Sequence, residues 1–118
     1  MGTFTVPIEI CDPEWRQFQP LEALVDTGAT YLVVPATTLR SLGIQPIEKG
    51  SFSLGAGRTA EYDIGLVSLR LEGRTLPVLC VFGDQDSEPL LGAIALESFR
   101  VAVDPIAQQL IPVTGRLM

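Results

Sequence analysis

The sequence predicts a mostly β domain whose strands close, wholly or partly, into a barrel, with one or two short helices attached. Three observations carry this reading. Apolar and polar residues alternate over several short runs, the period of a strand with one buried face. Turn residues punctuate the chain at short intervals, at Cys11-Asp12-Pro13-Glu14, Gly55-Ala56-Gly57, Glu72-Gly73-Arg74 and Asp104-Pro105. Helical spacing is confined to two brief stretches, 35–43 and 90–99. Short strands at such spacing close on one another to remove exposed edges.

The elements follow in order. Phe4, Val6, Ile8 and Ile10 alternate, so TFTVPIEI reads as a half-buried strand. After the turn CDPE, WRQFQ is expected as a short partner strand, and residues 21–26 as a third. Trp15 and Phe18 are read as core in preference to groove-lining residues. PATTLRSLG is expected to be helical, with Pro35 in its first turn and Gly43 as its stop. Residues 51–64 form a hairpin with Gly55-Ala56-Gly57 at its tip. Residues 66–71 and 76–82 alternate around EGR and form a second hairpin. GDQDSEP is an acidic loop. LLGAIALESF begins apolar and continues at helical spacing through Leu91, Ile94, Ala95 and Phe99. RVAVDPIAQQLIP is a last hairpin.

At 118 residues the chain, 1–118, is read as one domain. Its composition is 47% hydrophobic, rich for so small a body, so a second chain is expected to cover some apolar surface. No run approaches the length of a membrane span, and the amino-terminal MGTFTVPIEI lacks the charged and apolar regions of a signal peptide. The net charge is −6 with no basic run, which argues against nucleic acid as a partner; no membrane association is expected either. Cys11 and Cys80 form no C-x-x-C pair and are expected as small buried thiols in a reducing cytoplasm. Histidine is absent. That removes Ser-His-Asp and Cys-His catalysis and the common zinc sites, and leaves acid–base chemistry to carboxylates, Lys49, Tyr31 or Tyr62, or to a metal held by oxygens. Asp84, Asp86 and Glu88 lack the glycine and terminal glutamate of an EF-hand loop and are read as solvated. No metal or cofactor is expected.

The stretch that carries chemistry is ALVDTGATYLVVP. An apolar run ends in Asp26; Thr27 and Gly28 follow, then a second apolar run from Tyr31. An exposed β-turn would explain it. So would a turn that presents an acid inside a cleft. Asp-Thr-Gly alone is a weak signal, but here the glycine-tipped hairpin follows it, and Leu90-Leu91-Gly92 then leads into a helix. In that order, Asp26-Thr27-Gly28-Ala29, SLGAGRTAEY and PLLGAIALESF, the chain resembles the retropepsin-like aspartic proteases, over roughly residues 4–112. The ending VAVDPIAQQLIP is similar to microbial members.

The resemblance implies an aspartic endopeptidase on a closed barrel. Asp26 would be catalytic, and Thr27, Gly28 and Ala29 would support its loop. Leu54, Gly55, Ala56 and Gly57 would form a flap over an extended peptide. Leu91 and Gly92 would pack against the Asp26 loop, with Ile94 packed nearby. Two close carboxylates sharing one proton can activate water and protonate the leaving amine. The sequence holds one Asp-Thr-Gly; neither Asp63-Ile64-Gly65 nor Asp104-Pro105-Ile106 repeats it. A carboxylate pair therefore requires Asp26 from each of two chains, a homodimer. Thr27 would lock the two loops across the axis. Ala29 stands where pepsin-like sites carry a hydroxyl, as in the retroviral members, so a mildly acidic optimum is expected. Many retroviral members carry an Asp–Arg pair at the positions of Thr30 and Ala93. Both are missing here together, so no buried charge is orphaned, and the termini, including QQLIPVTGRLM, become candidates for holding the dimer. The alternatives are a peptide-binding module that no longer cuts and, ranked far below, a phosphate-binding Asp-Gly loop of the actin-like kinase type, which belongs to longer two-lobed chains.

Overall fold

The structure is a computed structural model that describes residues 4–117. Residues 1–3 of the amino-terminal stretch and Met118 of the carboxy-terminal one lie outside them. Nine strands and two helices follow in the order β1 (Thr5–Cys11), β2 (Phe18–Val25), β3 (Leu32–Pro35), α1 (Ala36–Ser41), β4 (Pro46–Gly55), β5 (Arg58–Leu71), β6 (Arg74–Gly83), β7 (Leu90–Leu91), α2 (Ala93–Ser98), β8 (Val101–Asp104) and β9 (Gln109–Pro112).

Seven strands form one sheet in the order β1-β2-β7-β3-β6-β5-β4, and β1 also pairs with β5. The second pairing, through Glu9↔Arg70, Ile10↔Leu69 and Cys11↔Ser68, closes six strands into a ring and leaves β4 outside it. Two ladders are parallel, β2 with β7 and β3 with β6. Strands β8 and β9 form a separate hairpin. The buried core draws on every ring strand, with Ile10, Ala23, Leu32, Leu69, Cys80 and Leu91 among its members, while β4 contributes nothing. Leu39 from α1 and Ala95 and Leu96 from α2 join it. Fully burying one such Leu contributes about 1.5–3 kcal/mol.

The expected alternation holds in β1, where Val6, Ile8 and Ile10 are buried. Cys11 breaks it and is also buried, at the point where β1 meets β5. Burial, and then its hydrogen bond to Asp12, pushes the Cys11 thiol up; burial alone pushes Cys80 far above the ordinary thiol range. Both are free, protonated and unreactive.

Four expectations are corrected. WRQFQ and 21–26 are not separate strands; one strand starts at Phe18. The cause is Asp12, only 3% exposed. Its carboxylate accepts hydrogen bonds from the backbone N–H of Glu14 (3.2 Å) and Arg16 (3.0 Å) and from Arg16 Nε (2.9 Å), which holds the chain in a turn. Burial by itself would raise this carboxyl, but the donors from Cys11, Arg16 and Glu14 outweigh it and hold Asp12 well below the usual carboxylate range. Trp15 is not core: its φ is +58° and it is 53% exposed, with its indole N–H donating to Ser68 Oγ at 3.0 Å. It lies edge-on to Phe18, whose other neighbour is the Arg70 guanidinium at 3.8 Å. Residues 51–64 and 66–71 are not interrupted either: β5 is one strand of 14 residues shared by both hairpins. Pro35 sits one place earlier than expected, as the N-cap of α1, with φ −53° and ψ 137°. Gly43, at φ +77°, does end that helix.

Candidate active site

Asp26 stands just past the end of β2. There β2 runs beside β7, with Leu24↔Leu90 and Val25↔Leu91 as partners, and the Asp26 N–H donates to the Leu91 carbonyl at 3.1 Å. The chain then turns on the acid itself. Asp26 Oδ1 accepts the Gly28 N–H at 2.9 Å, and its carbonyl accepts the Ala29 N–H at 3.1 Å. This is an Asx turn, in which a side chain mimics a backbone carbonyl. Among the described residues it is the carboxyl's one side-chain hydrogen bond, which leaves Oδ2 available. Asp26 is half-buried, whereas Thr27 and Gly28 are exposed.

Leu91 and Gly92 fix this loop from the other side. Leu91 is fully buried. A Cβ added at Gly92 would lie 2.5 Å from Tyr31 O, 2.7 Å from Ala29 O and 2.9 Å from Tyr31 N, all backbone atoms. Only hydrogen fits there. The same approach allows Ala93 N–H to reach Ala29 O at 2.8 Å and Ile94 N–H to reach Thr30 O at 2.9 Å. The two motifs singled out in sequence are thus one interlocked unit. Thr30 and Ala93 each take part in this backbone ladder, and neither carries a charge. Ile94 does not pack as expected: its N–H holds the loop, but its side chain is 39% exposed.

A cleft of about 540 Å³ opens beside the loop. Gly28, Ala29, Thr30 and Tyr31 line it together with Phe52, Ser53 and Leu54 of β4 and Tyr62 of β5, while Asp26 itself is not among its lining residues. Val33, Val81, Gly83, Asp84, Ser87 and Leu90 complete it. The β4–β5 hairpin therefore does face the Asp26 loop. Of its four predicted residues only Leu54 lines the cleft. Gly55, Ala56 and Gly57 form the exposed tip, with φ of +90°, +54° and +74°; a two-residue turn with both central φ positive matches the twist of the flanking strands. A larger groove, about 610 Å³, runs over Glu9, Glu22, Arg70 and Glu72, and the Asp26 loop takes no part in it.

The sequence reading missed the cleft's aromatic side. Tyr31 and Phe52 meet edge-on at 5.9 Å between centroids, and Phe52 and Tyr62 at 6.1 Å. The Tyr62 hydroxyl donates to Asp84 Oδ2 at 3.1 Å, and this bond, then burial, raises the phenol above its ordinary value. One signal was present: Phe52 and Leu54 are two apart on a strand and so share a face. At the hairpin's base Asp63 is held below its usual range, first by the hydrogen bond from Lys49 at 3.0 Å and also by Arg40. Among the described residues, no group of three His, Cys, Asp or Glu side chains is placed to hold a metal ion.

The family model described as "gag-polyprotein putative aspartyl protease" matches residues 17–98. No protein with a curated description matches the sequence significantly. Among solved structures, EIAV protease in complex with the inhibitor HBY-793 aligns with a TM-score of 0.57 at 23% identity, over 82% of this chain and 88% of the viral one. A retropepsin-like aspartic protease from Rickettsia conorii aligns with a TM-score of 0.55 at 18% identity, over 87% and 88%. A Legionella pneumophila protein of unknown function aligns equally well, with a TM-score of 0.55 at 19% identity over 92% and 93%. At these identities the likenesses establish a shared fold, the mostly β retropepsin-like one.

Proposed function

The chain belongs to the gag-polyprotein aspartyl protease family, and from that premise we propose that it is an aspartic endopeptidase whose active form is a homodimer, with Asp26 of each chain supplying one carboxyl of a catalytic pair. The observation that carries the proposal is the interlocked Asp26 loop, set by Gly92 and opened onto a cleft of peptide-binding size. In each chain Gly28 N–H occupies Oδ1 and orients the carboxyl. With the pair sharing one proton, the ionised member takes a proton from water as the water attacks the scissile carbonyl carbon. The protonated member donates its proton to the carbonyl oxygen, which becomes a hydroxyl of the tetrahedral gem-diol. The tetrahedral species then collapses, the C–N bond breaks, and a proton from the pair goes to the leaving amine.

The β4–β5 hairpin acts as a flap in this reading. Strand β4 is the last in the sheet order, and among the described residues it pairs with β5 alone, so an extended peptide can pair with its other edge. Closure of the tip would shield the water and the peptide from solvent. Thr27 supports the loop across the dimer axis, and Ala29 lines the cleft. A cytoplasmic setting is part of the same proposal. A module that binds peptides without cutting them would have no use for a paired carboxyl. The test is cleavage of a peptide library, with Asp26→Asn as control. Cleavage by the native protein and none by the variant supports the protease. Tight peptide binding without cleavage by either supports the binding module.

A further inference from the structure

Resting on the peptide-cleaving reading, we infer that the cleft wall built by Phe52, Tyr62 and Asp84 selects a basic side chain in the substrate, arginine above all. The cleft is apolar over most of its lining, with Val33, Phe52, Leu54, Val81 and Leu90 present, and no Lys or Arg lines it. One carboxylate, that of Asp84, stands in its wall. Asp84 Oδ2 accepts the Tyr62 hydroxyl, and its backbone carbonyl accepts both the N–H and the hydroxyl of Ser87. The loop that carries the acid is thereby fixed, and a carboxylate with about four lone-pair sites keeps acceptor capacity beyond the single tyrosine bond.

The nearby cations are committed elsewhere. Lys49 and Arg40 both pair with Asp63, and Arg40 also lies over the Phe82 ring at 5.1 Å. No salt bridge to Asp84 is formed among the described residues. A side chain that fits such a wall has an apolar stem and a cationic head. Lysine and arginine both bury their stems along apolar surface. Arginine is favoured because its planar guanidinium also stacks on aromatic faces, here those of Phe52 and Tyr62, while donating to the carboxylate. Leucine or norleucine would fill the apolar part and leave the acid without a partner.

The experiment compares kcat/KM for one peptide scaffold carrying arginine, its neutral isostere citrulline, or norleucine at each position in turn. It uses the native protein and Asp84→Asn. At one position arginine should exceed citrulline by about two- to fivefold, the scale of one charge pair at an exposed carboxylate such as Asp84, and Asp84→Asn should erase that ratio. A purely structural Tyr62–Asp84 clamp would lower all three peptides together and leave the ratio intact, which would overturn the inference. Equal cleavage of arginine and citrulline peptides at every position by the native protein would also overturn it, with the protease reading still standing. If the native protein cleaves nothing, the protease reading fails instead. The same three peptides are then compared by calorimetric binding to the native protein and to Asp84→Asn. An arginine preference lost in Asp84→Asn sustains the inference, and equal binding overturns it.

Discussion

Gly92→Ala isolates the contact on which the site depends. Gly92 has φ −92° and ψ −178°, ordinary extended backbone, so alanine meets no conformational penalty there. The cost is steric. The new methyl would lie 2.5–2.9 Å from three backbone atoms of Ala29 and Tyr31. None is the end of a movable side chain, so the 26–31 loop must shift. Overpacking of this kind costs about 1–3 kcal/mol. The shift also stretches two hydrogen bonds, Ala93 N–H to Ala29 O and Ile94 N–H to Thr30 O, worth about 0.5–1.5 kcal/mol each. Together these give about 2–6 kcal/mol, a fall in Tm of roughly 8 °C or more for a chain of this size. Gly43→Ala is the control. It has φ +77° and nothing within 4 Å of an added Cβ, so its cost is the left-handed backbone alone, about 1 kcal/mol. Thermal and urea unfolding of both variants decide the matter. Gly92→Ala as stable as Gly43→Ala would refute the close packing of the two motifs.

Other expectations follow from single groups. Because the folded state holds Asp12 below its ordinary value, its stabilising effect is fully present above pH ~4 and is lost as the pH falls below that. Urea midpoints should thus differ between native protein and Asp12→Asn at pH 6 and converge toward pH ~2; a difference independent of pH would contradict the assignment. Gly55→Val with Gly57→Val places β-branched residues at positive φ on an exposed tip. It should lower kcat/KM about tenfold and also lower Tm, since each left-handed β-branched residue costs about 1–2 kcal/mol even on an open tip; unchanged kinetics would show that the hairpin does not gate the cleft.

The parts of this fold that were legible in sequence are those set by local rules. Alternation in 4–10 reported a one-sided strand, and Gly43, Gly55, Gly57 and Gly73 marked turns that need positive φ. The long β5 was not legible because Gly65 looks like a break. In the structure Gly65 stays within the strand, where a Cβ would meet Phe82 at 2.9 Å and the Gln45 carbonyl at 3.0 Å, so glycine is there for close packing. Trp15 was misread because one buried acid, Asp12, outweighs the preference of a large aromatic for the core. Ring closure by β1 and β5 joins residues about 60 apart, and no local pattern encodes it. For the site, Asp26 and Leu91-Gly92 were legible as motifs, and their mutual contact was expected only from the resemblance. The Tyr31–Phe52–Tyr62–Asp84 side was not, since it assembles from four separate segments.

The central claim is that two chains share one catalytic pair through Asp26, and a mixing experiment tests it most directly. Native protein and Asp26→Asn are unfolded, combined in equal amounts and refolded together, and peptide cleavage is compared with native protein at the same total chain concentration. Random pairing with an obligatory two-chain site leaves about one quarter of the native rate, because only native–native pairs cut. A rate of about one half would mean that each chain cuts by itself, and the shared pair would be contradicted.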